Sequence, residues 1–221
     1  MRRFALRLPR PRPSGGTPLV IVLHGNQPDA TGLMMRDWTT FDEQADAFGF
    51  AVAYPDGVGG CWADGRGVTT ADEAGVDDVA FLRALVGTSA ERYGTHPDRA
   101  VVAGVSNGAF MAHRMATEAS DQVAVFAAVA GGLPASLRDM RPAHAVSAML
   151  IHGTADLVAR SGAATRGTAA PTGNCAAGHC RWRRRPGSGV PSTAARPAPA
   201  TRVLPSCPAG TRPPRASAGR G

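Results

Sequence analysis

Gly104-Val-Ser106-Asn-Gly108 sets one serine between two glycines at the spacing G-x-S-x-G. Arg99-Ala-Val-Val-Ala-Gly104 reads as a short buried strand leading into it, and Asn107 to Glu118 reads as a helix leading out. A serine at such a junction is a nucleophile elbow. The sharp turn lifts the hydroxyl above the sheet, and the glycines let neighbouring backbone come close. The chemistry this suits is attack of an alcohol oxygen on a carbonyl carbon. Because a serine hydroxyl is inert at neutral pH, that attack needs a base, an acid to orient the base, and N–H donors for the oxyanion. In a chain with 27 glycines the pentapeptide alone is weak, and its flanks give it specificity. The competing reading of Ser106 is a helix N-cap.

The partners are sought in chain order. His24-Gly25-Asn26 follows the apolar run Leu19-Val-Ile-Val-Leu23. The backbone N–H groups of Asn26 and Asn107 are the expected oxyanion hole. His24 precedes the serine and reads as a brace of its loop rather than as the base. Asp156 closes Ile151-His-Gly-Thr-Ala-Asp156, after the nucleophile and at a strand end, which fits the order Ser, Asp, His. The competing reading of Asp156 is a turn aspartate or a helix cap. Asp77 and Asp78 are the alternative acids, but they sit at a predicted helix start where the dipole accounts for them. Beyond Asp156 the only histidine is His179, in Ala177-Gly-His-Cys-Arg-Trp182, a segment with no predicted structure to hold it. Cys175, His179 and Cys180 lack the zinc-type spacings, so neither a metal nor a cofactor is expected.

The elements that position these residues follow from periodicity. Phe4 to Leu8 reads as an edge strand turned by Pro9 to Gly16. Leu19 to Leu23 is continuous and β-branched, as in a strand buried on both faces. Trp38 to Phe48 reads as a helix with Trp38, Phe41, Ala45 and Phe48 on one face, and Phe50 to Tyr54 as the next strand. Asp72 to Tyr93 reads as one long helix with an acidic first turn. Strands within Val123 to Ala130 and at Met149-Leu-Ile151 complete the pattern. Strands alternating with helices predict an α/β fold: a doubly wound, mostly parallel sheet of the α/β-hydrolase type, with the site at the strands' carboxyl ends. The pattern stops early, as if truncated at the C-terminal end.

Charge divides the chain at the same place. Residues 1–156 hold all 17 acids and 13 arginines, net −4, whereas residues 157–221 hold 11 arginines and no acid. All 24 basic residues are arginine, and the sequence pI of about 10.5 describes the second part rather than the first. Residues 1–156 are therefore read as an incomplete hydrolase domain. Residues 157–221, with nine prolines and nine glycines, are read as an Arg/Pro/Ala/Gly-rich disordered tail. Either it is a basic tail in its own right or the reading frame slipped near Asp156. The abruptness of the change favours the slip. Of Cys61, Cys175, Cys180 and Cys207, only Cys61 belongs to the domain. Met1-Arg2-Arg3 is not followed by the apolar core of a signal peptide, and no apolar run reaches the ~18 residues of a membrane span. A chain complete as written would be cytoplasmic.

At these residues the chain resembles the polyhydroxybutyrate depolymerase esterases, with their feruloyl and acetylxylan esterase relatives. The likeness covers about residues 18–156. It rests on Pro18 to Gly25, Ala53-Tyr-Pro-Asp-Gly57 followed by Cys61-Trp62, Gly75 to Leu82, Pro97 to Gly108 with Met111-Ala-His-Arg, and Ile151 to Asp156. The resemblance implies an α/β-hydrolase fold, a serine carboxylic ester hydrolase acting through Ser106 with Asp156 as acid, and no metal. It further implies small-molecule or polymeric ester substrates and an extracellular location. Its catalytic histidine lies further on, within a folded final segment. The alternative is a crippled fragment of such an esterase lacking that histidine. A minor alternative is nucleic-acid or anion binding through Arg181-Trp-Arg-Arg-Arg185.

Overall fold

Leu19–Leu23 (β2) lies in the middle of the sheet, and its five residues are all buried. Leu19, Ile21 and Leu23 point to one face and pack with Leu82, Leu85, Met111 and Met115. Val20 and Val22 point to the other and pack with Met35, Ala45, Val52 and Tyr54. A strand whose alternate residues feed two separate cores has to be apolar throughout, which is why LVIVL shows no polar alternation.

The computed structural model describes residues 2–154, Asp156 and the backbone of Val203 and Leu204. Among the described residues the strands are β1 (Phe4–Arg7), β2, β3 (Ala51–Pro55), β4 (Ala100–Val105), β5 (Val123–Val129), β6 (Ser147–Ile151) and β7 (Val203–Leu204). Their order in the sheet is β6-β5-β4-β2-β3-β1-β7. β2 to β6 run parallel, whereas β1 is antiparallel to both β3 and β7. The sheet is thus mixed, mainly parallel and doubly wound, as the alternation of elements predicted. Val203 and Leu204 pair with Ala5 and Phe4, so β1 is not the outermost strand that the sequence pattern suggested. The rest of the arginine-rich segment lies outside the described residues.

The helices are α1 (Gly32–Trp38), α2 (Phe41–Phe48), α3 (Thr70–Glu73), α4 (Asp78–Tyr93) and α5 (Asn107–Glu118). Two of them correct the periodicity reading. The helix expected over Trp38 to Phe48 is split, because Thr39 is extended and its hydroxyl bonds back to the Met35 carbonyl at 2.7 Å. Trp38 then ends α1 and Phe48 ends α2, and both are exposed. The helix expected over Asp72 to Tyr93 is also two. Thr69 and Asp72 form a capping box for α3, and the Asp77 carboxylate caps α4 by accepting from the Ala80 N–H at 2.9 Å. Local side-chain bonds restarted the chain where apolar spacing alone ran on. By contrast, α5 spans the residues the elbow predicted.

β2 connects through α1 and α2 to β3 on one side, while β4 connects through α5 to β5 on the other. The carboxyl ends of the adjacent strands β2 and β4 therefore flank a topological switch point, where open α/β sheets form a crevice. At the sheet's β6 edge all five residues are exposed, Met149, Leu150 and Ile151 by more than half. That is an uncharged, apolar edge of the kind folded chains ordinarily protect. Among the described residues no helix is long and apolar enough to cross a membrane, and Cys61 is the one described cysteine, buried and unpaired.

His113, on α5, packs against the Phe126 ring with centroids 4.7 Å apart, and its Nε2 has no hydrogen-bond partner. Burial pushes its pKa down to about 4, so the folded state holds it neutral where an unfolded chain would take up a proton. Stability that is full above pH 6.5 is therefore lost as pH falls towards 4. Urea unfolding should show roughly 1–2 kcal/mol less stability at pH 5 than at pH 7 from this group, and His113→Leu should flatten that slope.

Candidate active site

Ser106 follows β4 directly and adopts φ 53°, ψ −119°, a conformation that side-chain-bearing residues rarely occupy. Crowding explains it. A Cβ on Gly104 would sit 2.1 Å from the Gly108 carbonyl oxygen, and one on Gly108 would sit 2.5 Å from the carbonyl oxygens of both Leu23 and His24. Without side chains at these two positions, α5 can start hard against the ends of β4 and β2. The Ser106 N–H donates to the Val129 carbonyl at 2.9 Å, and its own carbonyl accepts from Ala109 and Phe110 at 2.9 and 3.2 Å. Held at both ends, the residue cannot relax. Its side chain makes no N-cap bond, unlike Thr31, Thr69 and Asp77 at the starts of α1, α3 and α4.

Leu23 is in register with Gly104, so the His24-Gly25-Asn26 loop leaves the sheet beside Ser106. A Cβ placed on Gly25 would lie 3.5 Å from the Ser106 Cβ, which puts this loop in contact with the serine. Asn107 is the first residue of α5, where backbone N–H groups have no intrahelical acceptor and the helix dipole favours negative charge. The structure thus brings Ser106, Asn107 and the Asn26 loop together at the switch point.

His24 is fully buried, with Nδ1 2.8 Å from the Gly25 carbonyl and Nε2 accepting from the Gly57 N–H at 2.9 Å. An Nε2 that accepts from an amide carries no proton, so Nδ1 carries it and the ring is neutral. Burial lowers its pKa, which agrees. With both nitrogens engaged it braces the loop, as its place before the serine suggested.

Asp156 lies beyond the carboxyl end of β6, which runs parallel to β4 and is two strands from it in the sheet. Its Oδ2 is 3.6 Å from the Nε2 of His152. The alternative acids are committed elsewhere. Asp77 caps α4, while Asp78 is fully buried against Arg2 at 2.5 Å and the Ala63 N–H at 2.7 Å. His179 lies outside the described residues, as do Cys175 and Cys180. Among the described residues no group of three or more His, Cys, Asp or Glu could hold a metal ion.

Motif reading gave no role to the segment from Gly57 to Thr69. It has almost no regular structure, yet Cys61, Trp62, Ala63 and Asp64 are all buried. Trp62 Nε1 donates to the His24 carbonyl at 3.0 Å, and the Asn107 side chain bonds both the N–H and the C=O of Trp62. The only signal available was a glycine-rich loop enclosing Cys61-Trp62, and spacing alone does not say what such a loop covers. A cleft of about 550 Å³ opens elsewhere, lined by Asp72, Asp77, Arg83, Arg114 and Glu118 among others. Ser106 is not among its lining residues, and Arg83 and Arg114 are already paired with Asp121 and Glu118. It is a charged surface groove that does not include the elbow serine.

An elbow serine at the switch point of a mainly parallel sheet defines an α/β-hydrolase fold. Over residues 2–172 the sequence matches the family described as Esterase PHB depolymerase, and the chain belongs to that family. It is 36% identical over 141 residues to the Nocardia uniformis subsp. tsuyamanensis protein named "Putative esterase NocK"; that match covers 64% of this chain and 40% of the relative. The chain thus spans about two fifths of that relative's length. Among solved structures it is similar to a Bacillus cereus carboxylesterase, with a TM-score of 0.54 and 20% identity, covering 73% of this chain and 74% of that one. A thermostable esterase matches with a TM-score of 0.50 and 15% identity, covering 71% of this chain and 44% of that one. At those identities the structural likeness is one of fold.

The crowding at the elbow yields a direct test. Gly104→Ala and Gly108→Ala should each cost about 3 kcal/mol or more by urea unfolding, because the new methyl meets backbone that cannot move aside. Gly87→Ala, within α4 and with nothing inside 4 Å of the added carbon, should instead stabilise by about 0.5–1 kcal/mol.

Proposed function

We propose that the chain is a serine carboxylic ester hydrolase that works through an acyl-enzyme on Ser106. The backbone of Ser106 carries this reading: a strained serine, free of any capping duty, at a helix N-terminus above a parallel sheet. In the proposed reaction Ser106 Oγ attacks the ester carbonyl carbon while a histidine nitrogen takes the hydroxyl proton. The carbonyl oxygen becomes an oxyanion held by the N–H groups of Asn26 and Asn107. Collapse of the intermediate breaks the bond to the alkoxy oxygen, which leaves as the alcohol with the proton from the imidazolium. Water, deprotonated by the same histidine, then attacks the acyl-serine and frees the acid. Asp156 orients the imidazole. Substrates are small or polymeric carboxylic esters, a class supported by membership of the esterase family. We take residues 1–156 as the hydrolase domain and residues 157–221 as a basic segment whose Val203 and Leu204 pair with β1.

Chain order assigns the base to His179. A second reading assigns it to His152, on one specific observation: its Nε2 lies 3.6 Å from Asp156, so the proposed acid already faces an imidazole. His24 and His113 are unsuited, the first with both nitrogens engaged and the second buried against Phe126.

Hydrolysis of p-nitrophenyl acetate by the purified full chain tests both. Ser106→Ala should lower kcat by roughly 10⁴-fold or more. A comparable loss in His179→Gln, with His152→Gln near wild type, assigns the base to His179; the reverse assigns it to His152. Wild-type protein that shows neither Ser106-dependent turnover nor labelling of Ser106 by a fluorophosphonate would refute the reading, leaving an esterase-derived domain without turnover.

A further inference from the structure

The Asn107 side chain does more than fill space at the start of α5. Its Oδ1 accepts from the Trp62 N–H at 2.7 Å, and its Nδ2 donates to the Trp62 carbonyl at 3.1 Å and to Asp64 Oδ2 at 2.5 Å. The Asp64 side chain is fully buried. Its charge is met by Arg66, whose Nε lies 3.1 and 3.0 Å from the two carboxylate oxygens and whose Nη2 lies 2.8 Å from Oδ2. The Arg66 guanidinium in turn lies 3.8 Å from the centroid of the Phe110 ring, and the Phe110 N–H donates to the Ser106 carbonyl. Asp64 is therefore tied to the first turn of α5 directly through Asn107 and indirectly through Arg66.

The same loop grips the other side of the site. The Gln27 N–H donates to the Gly60 carbonyl at 3.2 Å, one residue beyond Asn26, and Trp62 Nε1 holds the His24 carbonyl. Residues 57–66 thus bond next to both proposed oxyanion donors. Burying a carboxylate costs several kcal/mol even when it is paired. A neutral residue could pack there more cheaply. What the carboxylate adds is a short, charge-assisted bond that fixes the Asn107 amide and with it the torsions of the first residue of α5.

We infer that Asp64 is a positioning residue for the oxyanion hole: through Asn107 it sets the direction of the Asn107 N–H that would meet the developing charge. The inference rests on the esterase reading above. It touches neither substrate nor the reacting atoms. It is tested by comparing kcat, KM and the inhibition constant of phenylboronic acid, which forms a tetrahedral adduct on an active serine and so occupies the oxyanion hole.

Asp64→Ala should lower kcat roughly 10- to 100-fold, leave KM within about threefold, and weaken phenylboronic acid by the same factor as kcat. Asp64→Asn, whose amide oxygen can still accept from Asn107, should recover most of the loss. Asn107→Ala keeps the N–H but loses its anchor and should match Asp64→Ala, with the double variant no worse than either, since the two act as a unit. If Asp64→Ala gives no cooperative melt, Arg66→Gln, which leaves the carboxylate in place without its counter-ion, should show the same parallel loss on a smaller scale. Unchanged kcat in the variants, or a fall in kcat with phenylboronic acid affinity intact, would overturn the inference while leaving the esterase reading standing. Absence of Ser106-dependent turnover in the wild type would overturn both.

Discussion

The structure depends on one close approach. The carbonyls of Leu23 and His24 lie where a Cβ of residue 108 would be, and the carbonyl of Gly108 lies where a Cβ of residue 104 would be. Glycine at both positions lets the elbow helix dock directly onto the ends of two neighbouring strands. That docking forces Ser106 out of the ordinary backbone regions and leaves its side chain without a capping bond. Strain of this kind, on the order of 1–3 kcal/mol, persists only where surrounding structure over-determines it. Here the over-determination is visible. Ser106 is bonded backwards to β5 and forwards to α5, while β2 feeds two cores at once.

A second layer of order comes from buried charge rather than from apolar packing. Asp64 and Asp78 are completely buried, and each is met by an arginine and by at least one amide N–H. Arg2 links Asp78 to the Asp56 carbonyl and lies over the Phe81 ring at 4.0 Å, so the chain's first strand is tied to the loop that covers the elbow. Removing one partner of such a pair strands the other, which typically costs about 3–5 kcal/mol. This explains how a loop with little regular structure stays as buried as the strands it covers. It also gives the candidate site a rigid frame: one side is backbone crowding, the other a charge-anchored loop.

Much of this was legible in the chain. The elbow, the bounds of α5, the buried character of β2 and the mainly parallel sheet all followed from local patterns, because each is dictated by short-range sterics or by a period of side-chain burial. The two helix breaks were not. Apolar spacing runs smoothly through Thr39 and through Gly75 to Asp77, and only the caps formed by Thr39, Thr69 and Asp77 show where the backbone restarts. The brace role of His24 was legible from order, whereas the two bonds that make it a neutral brace were not.

The sequence by itself determined the strand–turn–helix elbow at Ser106 and pointed to the esterase family. A serine framed by glycines between a strand and a helix admits few conformations, so local sterics decide the outcome. It also showed where acidic sequence gives way to arginine-rich sequence, since charge is counted without knowing contacts. Only the tertiary structure decided which polar groups are buried together. Asn107 meets Trp62 and Asp64, and Asp78 meets Arg2, across 43 to 76 residues of chain. Such pairings are set by how the strands are ordered and how loops return over their ends, and no local pattern encodes that order.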